Sequence, residues 1–447
     1  MNMNTRPAPE LSASIDSPEV SSLTSTERYL LLNVTTPPLP RENRQRLPLN
    51  LSIVIDASGS MSGARLEAAK TAVHRLIDTL EDGDMLSLVS FADEAVVHAE
   101  AVALGVEGRH RLHSVTRSLC TRGCTNLFDG WHRGVLAAAE IMDRGERRNS
   151  RVLLLSDGHA NCGLLDIDAI SRHASALRDR GLPTSTVGIG AAYSPTFLLA
   201  LAEAGGGSLH DTDTGEDLID VMLGELDDVR KVVVENAEIE IDLPHGVDAS
   251  VLSSTDAHSV RGTLRVPLGA LIEQITRRVV VRLLAPPAPE GSSLEVRARL
   301  HWNRPGIPQD HYTGEDVSVT LRSVSEAELA AAAPAPDIAA HVAELWNAWA
   351  IRYATSLNER CDFERAVSFL DGELSRFEPY ARSLPHGRKL VRELHSLRRC
   401  VGRQLDPIMT KGLIKGSRDA IHGVMDKRAA MRGRNWKEWL HEDLHSG

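Results

Sequence analysis

The chain has 447 residues, 42% hydrophobic and 25% charged, an ordinary globular balance with room for roughly two to four domains. Its formal net charge of −11 argues against a general nucleic-acid or anionic-membrane binder. No apolar run approaches the ~18 residues of a transmembrane helix, and residues 1–22 lack the apolar centre of a secretion signal, so a cytoplasmic protein is expected. Five cysteines, Cys120, Cys124, Cys162, Cys361 and Cys400, follow neither a disulfide framework nor a zinc-type Cys-x-x-Cys, and read as free thiols in a reducing compartment.

In chain order, residues 27–34 are strand-like, and strand and helix signals alternate from 51 to 229. Largely apolar residues 51–55 end on Asp56 and read as a buried parallel strand. Residues 64–80 predict a helix with Leu66, Ala69, Val73, Leu76, Ile77 and Leu80 on one face. Strands at 85–91 and 95–102 and helices at 108–119 and 127–142 follow, then a second strongly buried strand at 151–156. A helix at 167–180, a strand at 184–189, a helix at 195–203, a strand at 208–211 and a helix at 216–229 complete the unit. This order implies a doubly wound, mostly parallel sheet.

Beyond it, strands at 232–241, 259–266, 276–284, 294–302 and 316–321 imply an antiparallel β-sandwich. Its first strands are expected before the α/β unit, which would then be an insert. The Ala- and Pro-rich stretch 323–336 reads as a linker to helices at 338–357, after Asp362 as cap, and at 387–405, forming a hairpin or bundle. The basic stretch from Lys411 to Trp439 reads as a solvated tail or an acidic-partner dock. The expected divisions are 1–48 (first sandwich strands), 49–229 (α/β unit), 230–323 (rest of the sandwich) and 324–447 (linker, helices and tail).

Chemistry concentrates in Asp56-Ala-Ser58-Gly-Ser60, which sets a carboxylate and two hydroxyls at a strand's carboxyl end. Open α/β sheets bind ligands at that edge, and hard oxygen donors suit Mg²⁺. Together with Thr125 in Cys-Thr-Asn-Leu and Asp157 in Ser-Asp-Gly158, the pattern resembles the von Willebrand factor type A (VWA) family. The nearer likeness is to its bacterial stand-alone and inter-alpha-trypsin-inhibitor heavy-chain branch.

The resemblance implies a metal-ion-dependent adhesion site. Ser58 and Ser60 would bind the metal, Thr125 would bind it directly or through water, and Asp56 and Asp157 would lie close by. Cys124 departs from the family, where glycine usually precedes the threonine. A dication beside two carboxylates is formally neutral, so Mg²⁺ (Mn²⁺ or Ca²⁺ as alternatives) would accept an Asp or Glu from a partner protein. The implied role is a non-catalytic interaction module, an adaptor for a cytosolic assembly such as an AAA+ ATPase or a kinase–phosphatase set. The helix at 216–229, leading into strand 232–241, would pass a metal-loop change to the sandwich.

Other readings compete. Asp56 as nucleophile of a metal-dependent phosphate hydrolase lacks a second carboxylate two residues on, where Ser58 stands. Gly59-Ser-Met-Ser-Gly63 matches neither a phosphate loop nor a nucleophile elbow. A structural scaffold with a vestigial metal site is a third reading. Cys120, Cys124, His132, His159 and Cys162 would form a softer metal site or redox switch on the same rim, while Asp166, Asp168, Asp211 and Asp213 read as helix or turn caps.

Overall fold

The computed structural model describes residues 8–39, 47–145, 148–157, 160–190, 193, 195–212, 215–252, 257–260 and 262–422. The chain opens with strands β1 (Glu10–Ile15), β2 (Glu19–Ser21) and β3 (Thr26–Thr35). The α/β unit follows as β4 (Leu49–Asp56), α1 (Ala64–Thr79), β5 (Met85–Phe91), β6 (Ala95–Ala103), α2 (Val106–Arg117), α3 (Leu127–Asp143), β7 (Asn149–Ser156), α4 (Ile167–Asp179), β8 (Thr184–Ile189), α5 (Pro195–Ala204), β9 (Gly206–Thr212) and α6 (Gly215–Arg230).

The unit's strands lie in the order β6-β5-β4-β7-β8-β9, parallel except for the antiparallel edge strand β6. Every residue of β4 and β7 is buried, as apolar central strands covered on both faces must be. Leu66, Ala69, Val73, Leu76 and Ile77 of α1 share one core with Leu218 and Met222 of α6. Helices α3, α4 and α5 cover the other face around fully buried Trp131, whose indole N–H donates to Thr184 Oγ1 at 3.0 Å.

Strands β10 (Val232–Asp242), β11 (Asp248–Val251), β12 (His258–Val260), β13 (Thr263–Ile272), β14 (Thr276–Ala285), β15 (Ser293–Arg304), β16 (Ile307–Thr313) and β17 (Val317–Val324) complete two further sheets. One is β1-β3-β14-β11. The other is β12-β13-β10-β15-β17-β2, with β16 on β15. β3 runs antiparallel to β14 from Thr26 opposite Ala285 to Thr35 opposite Thr276. Strands from before and after the α/β unit therefore share a sheet, and the unit enters between β3 and β10. The strand expected at 259–266 is instead split, because Gly262 at φ +88° turns the chain between β12 and β13.

The C-terminal helices are α7 (Glu326–Ala331), α8 (Pro336–Glu359), α9 (Phe363–Ala381), α10 (Gly387–Cys400) and α11 (Pro407–His422). Several expectations are corrected here. The supposed linker contains α7, started by a capping box in which Ser325 and Glu328 satisfy each other's backbone N–H. Asp362 precedes α9 but makes no side-chain capping bond. The helix expected at 387–405 stops at Cys400, and Leu405 N–H instead donates to Asn358 Oδ1 at 3.1 Å. Lys411 does not open a solvated tail. It is buried in α11, 3.2 Å from Asp211 Oδ2, with Lys415 2.7 Å from Oδ1. The tail reading beyond residue 422 falls outside the described residues. Among those residues, no helix is long and apolar enough to cross a membrane.

Two buried polar clusters tie the parts together. Trp346 of α8 donates to Glu373 Oε2 of α9 at 2.6 Å, and Arg282 of β14 pairs with the same oxygen at 2.7 Å while lying over the Trp346 ring. In the α/β unit, Glu225 of α6 meets Arg151 of β7 at 3.1 Å, His210 of β9 at 2.6 Å and the Ser185 hydroxyl of β8. Burial alone raises a carboxyl, but His210, Arg151 and Ser185 outweigh it and hold Glu225 down at about 2.

The folded value lies below the ~4.3 of a free glutamate, so this stabilisation is complete above pH ~4.3 and is lost as pH falls toward 2. Glu225→Gln is expected to lower stability near neutral pH by about 3 kcal/mol. Denaturant titrations at a series of pH values should show variant and parent converging in acid; a constant difference would contradict the pairing.

Candidate metal centre

Parallel pairing sets the first half of the site. Ile55 lies opposite Leu155, so Asp56 and Ser156 emerge side by side at the carboxyl edge, with Asp157 one residue on. Ser156 Oγ donates to Asp56 Oδ2 at 2.5 Å, and Ser58 N–H to Asp56 Oδ1 at 2.8 Å. Asp56 is fully buried. Burial pushes its carboxyl up, the two serines pull it down, and the neighbouring Asp157 charge pushes it up again, leaving it above the usual carboxylate value.

Ser58 precedes a 3₁₀ turn, Gly59–Met61, anchored by fully buried Met61. Ser58 stands in the capping position but its side chain makes no capping bond. Its hydroxyl oxygen lies 3.1 Å from that of exposed Ser60.

Thr125 arrives from a loop far along the chain, held by backbone bonds. Arg122 N–H donates to Ala57 O at 2.7 Å, Gly59 N–H to Gly123 O at 3.2 Å, and Asn126 N–H to Ala92 O at 2.8 Å. A Cβ at residue 123 would stand 1.6 Å from Asp93 Oδ2, so a larger residue there would displace the carboxylate that accepts from Cys124. Thr125 is itself buried. Its N–H donates to Asn161 Oδ1 at 2.9 Å, and its carbonyl accepts from Asn161 N–H at 3.2 Å and Cys162 N–H at 3.4 Å. Segments 56–60 and 122–126, with Ser156, Asp157, Asn161 and Cys162, thus converge on one edge.

Two charged residues at this edge were not picked out from the sequence. Arg65 Nη1 donates to Ser60 O at 3.0 Å and lies 3.5 Å from Asp157 Oδ2. Its only sequence signal is a basic residue in the first turn after the motif. Asp93 Oδ1 accepts from Cys124 N–H at 2.7 Å and from its thiol at 2.6 Å, which holds the carboxyl below its usual value and pushes the thiol up to about 12.

The remaining candidates disperse. Asp166 caps α4 by accepting from the Asp168 and Ala169 N–H groups, as expected. Asp211 is no cap, being held in β9 by its two lysines. His132 stacks on Phe128. Among the described residues no three His, Cys, Asp or Glu side chains are grouped to hold a metal, so the softer site at Cys120, Cys124, His132 and Cys162 finds no ligand set. Gly158, His159 and Asp213 lie outside the described residues.

The edge instead offers carboxylates and hydroxyls, a hard oxygen set. Neighbouring ligands on an octahedron of ~2.1 Å radius stand about 3 Å apart. The Ser58–Ser60 oxygen separation of 3.1 Å fits that spacing.

Residues 50–221 match the family model described as von Willebrand factor type A domain. This chain carries a VWA domain. In fold it resembles the solved structure of a von Willebrand factor type A protein from Catenulispora acidiphila, with a TM-score of 0.66 at 17% identity over 93% of this chain and 98% of that one. It also resembles the ArnB paralog VWA2 from Sulfolobus acidocaldarius, with a TM-score of 0.55 at 14% identity over 92% and 99%.

An uncharacterized Synechocystis protein is 25% identical over 63% of this chain and 68% of that one. Human inter-alpha-trypsin inhibitor heavy chain H3 is 26% identical over 51% of this chain but only 26% of its own length. VWA domains are generally non-enzymatic protein-interaction modules, typically with a divalent cation.

The convergence of loops makes a local test available. Gly163 has φ +80°, and a Cβ there would stand 2.1 Å from Asn126 Oδ1. Gly163→Ala is expected to cost about 2 kcal/mol in urea unfolding, more than Gly83→Ala, where φ is +94° but no atom lies within 4 Å. Equal costs would mean that the 161–163 turn does not pack on the Thr125 loop.

Proposed function

We propose that this protein is a non-catalytic, divalent-cation-dependent interaction module whose metal, held by Ser58, Ser60 and Thr125 with Asp56 and Asp157, takes an Asp or Glu of a partner protein. The observation that carries the reading is the convergence of the three loops, with two hydroxyls at ligand-like spacing beside two buried acids. Both Asp56 oxygens already accept hydrogen bonds, so Asp56 contributes charge more than a free coordinating oxygen. The bound cation supplies an electrophilic position for an incoming carboxylate. The residues around it hold that position: Met61 anchors the serine turn, and Asn161 holds the Thr125 backbone.

The partner belongs to a cytosolic assembly or signalling system, with an AAA+ ATPase or a kinase–phosphatase set as the classes to test. Mg²⁺ is the preferred ion, with Mn²⁺ or Ca²⁺ as substitutes.

Free Mn²⁺ at about 100 times its dissociation constant is expected to stabilise the parent by about 2.7 kcal/mol, and to leave Thr125→Ala unstabilised in the same melts. Proteins captured on the parent in Mg²⁺ are expected to be lost in EDTA and on Thr125→Ala. Capture indifferent to both would falsify the proposal.

Arg65 sets a second expectation. Its guanidinium competes with the cation for Asp157, so Arg65→Ala is expected to tighten Mn²⁺ binding severalfold in calorimetric titration. Unchanged affinity would remove Arg65 from the site's electrostatics.

A further inference from the structure

We propose that Cys124 and Cys162 are a modification site: a reversible disulfide that staples the Thr125 loop to the turn after β7 and sets the metal affinity of the site. The claim about metal affinity rests on the function proposed above; the disulfide itself does not.

The two sulfurs lie 3.0 Å apart, 38 residues from one another in sequence. A disulfide needs ~2.05 Å, so closing the bond takes a sulfur displacement of about 1 Å. The approach is imposed by backbone. Asn161 and Cys162 N–H both donate to Thr125 O, and Thr125 N–H returns a bond to Asn161 Oδ1. Gly163, held at φ +80° against Asn126, fixes where that turn leaves the loop. Both cysteines are partly exposed, so a small oxidant reaches them. The other three are placed differently: Cys120 and Cys361 are exposed, and Cys400 donates within its own helix to the Ser396 and Leu397 carbonyls.

The oxidant is a hydroperoxide. The Cys162 sulfur, as its thiolate, attacks the peroxide O–O bond and becomes a sulfenic acid, while the departing oxygen takes up a proton and leaves as an alcohol, or as water when the oxidant is hydrogen peroxide. The second sulfur then attacks the sulfenic sulfur. The S–O bond breaks, the S–S bond forms, and the departing oxygen leaves as water with the second thiol's proton. Two thiols lose two electrons in all, and the peroxide gains them. Exchange with a dithiol restores both cysteines.

The consequence for the site is mechanical. In the thiol form the Cys124 sulfur is shared between Asp93 at 2.6 Å and Cys162 at 3.0 Å. Bond formation removes the S–H donor from Asp93 and joins residue 124, next to Thr125, covalently to the turn. Thr125 then sits in a loop that can no longer move independently of residues 161–163.

The test uses the full chain treated with hydrogen peroxide, then alkylated and mapped by mass spectrometry without reduction. The expected product joins the Cys124 and Cys162 peptides with loss of two hydrogens, leaving Cys120, Cys361 and Cys400 alkylatable. Cys124→Ser and Cys162→Ser are each expected to abolish it. Two free thiols after treatment, separately over-oxidised sulfurs, or pairing with another cysteine would overturn the site.

Mn²⁺ affinity, read by electron paramagnetic resonance, is expected to differ at least threefold between oxidised and reduced chains, to reverse with dithiothreitol, and to stay constant in Cys162→Ser. Equal affinity in both redox states overturns the control of the metal. Absence of Mn²⁺ binding in either state overturns the metal reading itself, and the mapped disulfide is then judged on the peptides alone.

Discussion

A parallel sheet covered on both faces can present charge in one place, the ends of its strands. β4 and β7 have no exposed residue along their length, so carboxylates within them would be stranded in an apolar interior. Asp56 closes β4, and Asp157 follows the last residue of β7. Because the two strands are neighbours, both acids reach the same edge. The serine turn, the Thr125 loop and Arg65 are arranged around that enforced meeting of like charges.

Buried acids this close need compensation. Hydrogen bonds from Ser156 and Ser58 offset part of the cost at Asp56, and its carboxyl still stays above the usual value. Arg65 supplies a positive charge, but at 46% exposure and 3.5 Å from Asp157 its pull is screened by water. The dication proposed for this site would supply a larger and better-desolvated charge at the same place. The thiol pair beside Thr125 is where the covalent link proposed above would form.

The α/β unit is also held from outside. α6 runs directly into β10, and Glu225 clamps α6 to β7, β8 and β9. On the far side α11 sets two lysines on Asp211 at the end of β9 and inserts Ile414 into the α/β core. Arg352 of α8 pairs with Glu203 of α5. Displacement of one element at the Asp56–Asp157 edge therefore meets resistance from both the sandwich and the helices.

Much of this was legible in one dimension. Apolar runs ending on Asp56 and Ser156 marked the central strands, and the 3.6-residue spacing from Leu66 to Ile77 marked the inward face of α1. Other elements were hidden by composition. The Ala- and Pro-rich stretch masked α7, although Ser325 and Glu328 carried a capping signal. The basic character of residues 411–418 masked a docked helix, because a lysine reads as solvated until its buried partner is known.

Local pattern by itself determined the periodicity of helices and strands, the placement of acids at strand ends and the chemistry of the three motifs. Tertiary structure decided which side chains meet: Arg65 with Asp157, Cys124 with Asp93 and Cys162, Lys411 with Asp211. These meetings depend on backbone bonds between loops tens of residues apart, such as Arg122 to Ala57 and Asn161 to Thr125, and no periodicity encodes such a distance.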